Sequence, residues 1–177
     1  MKHQIKQAVL RAFSRLKRDD GSLFDCEIEE EFGYDSRKLH EVCINHKLAI
    51  YLENEILPII SGADQKYFVD IEFNREGINK KKLIVCNGKE LVVRPDIIIH
   101  NRKSGEQKGN FLIVECKKNG ARLSEIDDDR KKIRAFMEND KYKYSFGLQI
   151  VYGKDEIKGA LFYNNGQAIE QEEIISS

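Results

Sequence analysis

The sequence predicts an α/β fold, with helices packed on a central mixed β-sheet. Three observations predict it. Two stretches in the N-terminal third carry apolar residues three or four apart, the spacing of a helix face. Short runs rich in Val, Ile, Leu and Phe follow, bounded by Gly and Asn as strands are. A third helical stretch then separates two of those runs, so the order is helix, helix, strands, helix, strands. The 177 residues suit a single domain, 1–177, with a core of useful size.

Residues 3–18 read as a helix, with Ile5, Val9, Ala12, Phe13 and Leu16 on one stripe among Lys and Arg. The basic face is expected to be solvated rather than bound to phosphate. Asp19-Asp20-Gly21-Ser22 stops this helix, and Leu23 to Tyr34 reads as acidic and irregular. A longer helix begins after the capping residues Asp35-Ser36 and runs to about Leu57, where Pro58 limits it. Its stripe is Ile44, Leu48, Leu52 and Ile56, with Glu41 one turn ahead on the same face and Glu55 near it. A carboxylate on an apolar face is costly unless it is paired or binds a cation. The bland alternative for Glu41 is a first-turn acid that complements the helix dipole. Asn45 and His46 lie one turn on, and His46 is expected to be structural.

Tyr67, Val69, Ile71 and Phe73 alternate with Phe68, Asp70, Glu72 and Asn74, as in a strand near a sheet edge. Leu83–Cys86 and Leu91–Val93 flank Asn87-Gly88, a hairpin signature. The second run leads into Pro95-Asp96, where proline marks a strand start or bulge. Arg94–His100 and Phe111–Lys118 then form a strand–loop–strand unit around a linker holding Ser104, Gly105 and Gly109. Asn119-Gly120 ends it. Ser124 is expected to cap a helix over about 125–138, with Ile126, Ile133, Phe136 and Met137 apolar and Arg130, Lys131, Lys132 and Arg134 on a basic side. Phe146–Tyr152 and Ile157–Tyr163 read as strands, Asn164-Asn165-Gly166 as a turn, and the acidic tail Glu170–Ser177 as a segment that frays.

Composition excludes several classes. Thirty Lys and Arg balance thirty Asp and Glu, which argues against a whole-surface nucleic-acid footprint but leaves room for a local basic groove. Cys26, Cys43, Cys86 and Cys116 are far apart and form no CxxC pair, so neither a zinc module nor a disulfide framework is indicated. Reduced, mostly buried thiols in a cytoplasmic protein are the simpler reading. No stretch approaches membrane-spanning length, so no membrane association is expected.

The chemistry concentrates between Arg94 and Lys118. Asp96 opens one apolar run and Glu115 nearly closes the other, where a core strand should carry no acid. Glu115 and Lys117 share a face, with Cys116 opposite. If the runs pair antiparallel, Asp96, Glu115 and Lys117 converge at one end of the sheet. Two carboxylates are enough for Mg²⁺, which keeps several waters; Mn²⁺ is an alternative ion. The Cys116 backbone carbonyl is a third candidate ligand, and Glu41 would complete the shell from its helix. A bound metal polarises a phosphodiester oxygen and acidifies a coordinated water. Lys117 would orient that water, take its proton if burial depresses its pKa, or stabilise charge on phosphate as a cation.

Pro95-Asp96, a linker and Glu115-Cys116-Lys117, with a helical Glu41 before and a helix and strand after, resemble the PD-(D/E)xK nuclease superfamily. The segments Asp70–Arg75 and Glu41–His46 are similar to small bacterial members of unassigned role. The resemblance spans about 36–163 and leaves out the first helix and the tail. It implies a restriction-endonuclease-like fold and a Mg²⁺-dependent nuclease. Asp96 and Glu115 would bind metal, Lys117 would act on water, and Glu41 would be the extra helical acid. It implies a nucleic-acid partner, with DNA expected, and a homodimer, since cutting two strands often needs two sites. Candidate phosphate contacts are Lys80 to Lys82, Lys118, and Arg130 to Arg134. The competing expectation is a catalytically silent nuclease-like module that binds nucleic acid or a protein partner.

Overall fold

A computed structural model describes residues 1–24, 36–62, 65–73, 75–76, 79–80, 82–85, 89–102, 109–153 and 155–176. Side chains are described for these except 36–40, 75–76, 79–80, 82–85, 89–91 and 175–176. The expected irregular stretch 25–34, the cap at Asp35, the Asn87-Gly88 turn, the linker residues Ser104 and Gly105, Lys81, Cys26 and Cys86 lie outside the described residues.

Three helices and a mixed sheet make the fold. Helix α1 (Lys2–Asp20) passes through a short 3₁₀ turn (Gly21–Phe24), and α2 spans Ser36–Ile60. Strands β1 (Phe68–Ile71), β2 (Arg75–Glu76), β3 (Asn79–Lys80), β4 (Lys82–Val85), β5 (Lys89–Val92), β6 (Ile97–His100) and β7 (Asn110–Lys118) follow. Helix α3 (Leu123–Glu138) leads to β8 (Phe146–Tyr152), β9 (Ile157–Asn164) and β10 (Ile169–Ser176). The main sheet runs β1-β6-β7-β8-β9-β10, and β2–β3 and β4–β5 are separate ribbons. All neighbours in the main sheet are antiparallel except β7 and β8. That parallel pair needs a crossover, and α3 supplies it.

Period-two alternation sorts the two faces. Ile97, Ile99, Leu112, Val114, Cys116, Leu148, Ile150 and Tyr152 face one core with the α1 and α2 stripes. Ile98, Ile113, Ala160 and Phe162 face the other with Ile133, Phe136 and Met137 of α3. Gly147 lets α3 sit close, because a Cβ there would lie 2.2 Å from Ile133 Cγ2. At the β1 edge, Arg102 donates to both oxygens of Asp70, at 2.9 and 2.5 Å, and His100 Nε2 lies 2.8 Å from the same carboxylate.

Four local expectations need correction. Pro58 does not end α2 but sits in its last turn. The missing N–H would have bonded the carbonyl of Asn54, an exposed residue, so water can serve that carbonyl. Ser124 lies inside α3, whose N-cap is Arg122. The Glu125 carboxylate accepts from the Arg122 backbone N–H at 2.9 Å and from its guanidinium at 3.1 Å. The tail does not fray. It is strand β10, paired along its length with β9, with Ile174 buried and Glu172 bound by Lys6 and, at 3.3 Å, by Lys2. Of the described cysteines, Cys116 is buried but Cys43 is exposed. The first helix and the tail, outside the resemblance, are thus integral to the fold.

Candidate active site

Antiparallel pairing of β6 with β7 builds the site. Ile97 stands opposite Val114, so Asp96 falls just past the ladder, level with the end of β7. There Asp96 Oδ2 accepts the Cys116 backbone N–H at 2.7 Å. The N–H and C=O of a strand residue point to the same neighbour. The Cys116 carbonyl is therefore also on the Asp96 side, beyond the last β6 pair. Glu115 and Lys117 project from the α3 face, as their alternation requires.

Helix α3 meets them with Asp129, which sequence reasoning missed, and with Lys132, which it expected on a basic side as a phosphate contact. Lys132 Nζ lies 2.7 Å from Glu115 Oε1, and Lys117 Nζ lies 3.1 Å from Asp129 Oδ2. Both contacts are ionic and off the hydrogen-bonding direction. Glu115 Oε1 and Asp129 Oδ2 are thus buried oxygens without an aligned donor. Asp129 lies three residues after Ile126 and four before Ile133, on the apolar stripe of α3. The reasoning that singled out Glu41 could have found it. Gln149, level with Glu115 on β8, is also buried and was missed; its amide donates to the Ile150 carbonyl at 3.1 Å.

Helix α2 brings Glu41 in from the opposite layer. Asn45, one turn on, is buried and accepts the Tyr152 hydroxyl at 2.9 Å, and that hydroxyl lies 3.2 Å from Cys116 Sγ. This cluster docks the start of α2 on the strand end that carries the site. Glu41 is half-buried and lines an open pocket of about 640 Å³ with Lys117, Lys118, Gly120 and Arg122. His46 is exposed.

No family model, curated protein or solved structure matches the chain. What the site can do must follow from its own physics.

Crowded acids dominate the electrostatics. Burial pushes the Glu115 carboxyl up to about 8, against the pull of Lys132, and Asp96 adds to the rise. Burial also raises Asp96, Glu41 and Asp129. The Cys116 N–H opposes this at Asp96, and Lys117 opposes it at Glu41 and Asp129. Lys117 moves the other way from one expectation. Burial alone would lower it, but Asp129, Asp96 and Glu41 outweigh that and hold it above an ordinary lysine.

Hard oxygen donors, two of them buried and unaligned, fit a divalent cation better than a thiophilic one. Among the described residues no group of three or more His, Cys, Asp and Glu is gathered to hold an ion alone. Any ion held here would have to keep several waters, since the chain offers it few protein oxygens. Of the expected phosphate contacts, Lys80 and Lys82 have no described side chains. Arg134 is engaged by the Ile169 carbonyl at 2.8 Å and Gln171 at 3.0 Å, and Arg130 by Glu173 at 3.5 Å. Among the described residues no helix is long and apolar enough to cross a membrane.

Proposed function

We propose that the chain is a metal-dependent nuclease of the PD-(D/E)xK type, acting on DNA, with Mg²⁺ or Mn²⁺ as cofactor. The observation that supports this reading is the Asp96 carboxylate held by the Cys116 N–H next to Glu115 on the β6–β7 pair, with Lys117 and Glu41 lining an open pocket at the same sheet end. A bound divalent ion supplies Lewis-acid activation of the phosphodiester and of water. Asp96 and Glu115 hold it, and the Cys116 N–H fixes the Asp96 carboxylate in place. Lys117, kept protonated by its acidic neighbours, serves as a cation that orients the nucleophile and stabilises phosphate charge, rather than as a base. Glu41 lines the same pocket and positions a water there. Lys118 and Arg122 on the pocket lining provide positive charge for the flanking phosphates.

The test is incubation of supercoiled and linear DNA with Mg²⁺, Mn²⁺ or EDTA. Cleavage should require metal and fall by about 10²-fold or more in Asp96→Ala and Lys117→Ala, as removal of one charge-stabilising group does. Unchanged cleavage in both variants would mark a contaminant.

A second reading, a silent module that binds nucleic acid or a protein, draws on one observation. Lys132 and Lys117 already lie against the Glu115 and Asp129 carboxyls, at 2.7 and 3.1 Å. Retention of DNA without metal-dependent cleavage would select it.

A further inference from the structure

Glu115 has an unusual problem. Its side chain is 2% exposed, and its Oε1 has no aligned hydrogen-bond donor. A buried carboxylate needs a compensating positive group. The cation in contact with it is not the lysine of its own strand but Lys132, from the helix overhead, at 2.7 Å. That ammonium takes up the carboxylate oxygen that a metal ion would need. Lys132 itself is 24% exposed, so its head has a route out, and its four-carbon stem is flexible. Asp129 lies three residues earlier on the same helix face, close enough that its charge and that of Lys132 act on each other. It also holds Lys117, at 3.1 Å.

We propose that Lys132 is the resident counter-cation of the site. It guards Glu115 until a divalent ion enters, and the ion displaces it toward Asp129. One amine leaves Glu115 as the metal arrives, and its new partner is the acid that restrains Lys117. Lys117 is thereby loosened for substrate. Lys132 is a positioning residue, since nothing places it on the reacting atoms. The inference rests on the metal-dependent reading above.

The experiment uses the full chain and reads two quantities that do not depend on cleavage. Calorimetry with Mg²⁺ alone reports whether the ion binds. Amine acylation followed by mass spectrometry reports access to each lysine. Saturating Mg²⁺ should raise the labelling of Lys132 severalfold and leave Lys131, exposed on the outer face, unchanged. Glu115→Gln, which removes the charge that holds the amine, should label quickly at Lys132 with or without Mg²⁺. If Mg²⁺ binds and Lys132 labelling does not move, the displacement is wrong while the metal reading survives. If Mg²⁺ does not bind at all, both fall together.

Discussion

Raising the pH should destabilise this protein, and Glu115 gives the reason. Its carboxyl sits between sheet and helix, and burial moves its pKa from 4.5 to about 8. In the unfolded chain it returns to the ordinary range. Through that window the folded protein keeps a proton that the unfolded chain has released, so stability is lost as pH rises. The full shift, at about 1.4 kcal/mol per unit, sets an upper limit of roughly 5 kcal/mol. Asp96, Glu41 and Asp129 are raised too and add to the loss at the acid end of the window. The assay is urea unfolding at a series of pH values from about 5 to 9, following the midpoint at constant slope. Glu115→Gln should flatten the curve between about pH 6 and 8 and gain on the parent as pH increases. If the variant and the parent run parallel across that window, Glu115 does not carry the proton and the burial reasoning fails.

Two further predictions concern how the site is held. Gly147→Ala would place a methyl 2.2 Å from Ile133 Cγ2 and 3.1 Å from Met137 Sδ, lifting α3 at about 1–3 kcal/mol. Ile133→Ala alone should cost about 2–5 kcal/mol, and the double variant should fall short of the sum by roughly 0.5–3 kcal/mol in a urea double-mutant cycle. Tyr152→Phe leaves the buried Asn45 Oδ1 without its donor, at about 1–3 kcal/mol, read as a lower urea midpoint.

Much of this arrangement was legible in the residues. Ile97-Ile98-Ile99 and Phe111–Val114 read as buried strands, and antiparallel pairing alone sets Asp96 level with Glu115. The α2 stripe announced Glu41 by the same logic. The partners of the acids were harder to see. Lys132 sits in a basic run that reads as a solvated face, and only the placement of α3 over β7 turns it inward. That placement depends on Gly147, a tertiary fact with no periodic signature. The tail misled for a related reason. Glu170, Glu172 and Glu173 look like a solvated acidic end, yet Glu172 is met by Lys2 and Lys6, and Glu173 by Arg130. Its one strong strand signal, the Asn164-Asn165-Gly166 turn ahead of it, has Gly166 at φ +96°.

The tie between α1 and β10 has a kinetic side. Lys6 and Glu172 stand 166 positions apart, among the longest loops this chain can close. During synthesis α1 and α2 can meet as a helical pair once Ile60 is made, but the outer strand, from Ile169, follows more than a hundred residues later. For most of translation the apolar stripe through Ile5, Val9 and Phe13 has no sheet to rest on. That pair, rather than the late-forming sheet, is the nascent segment a chaperone would have to shield.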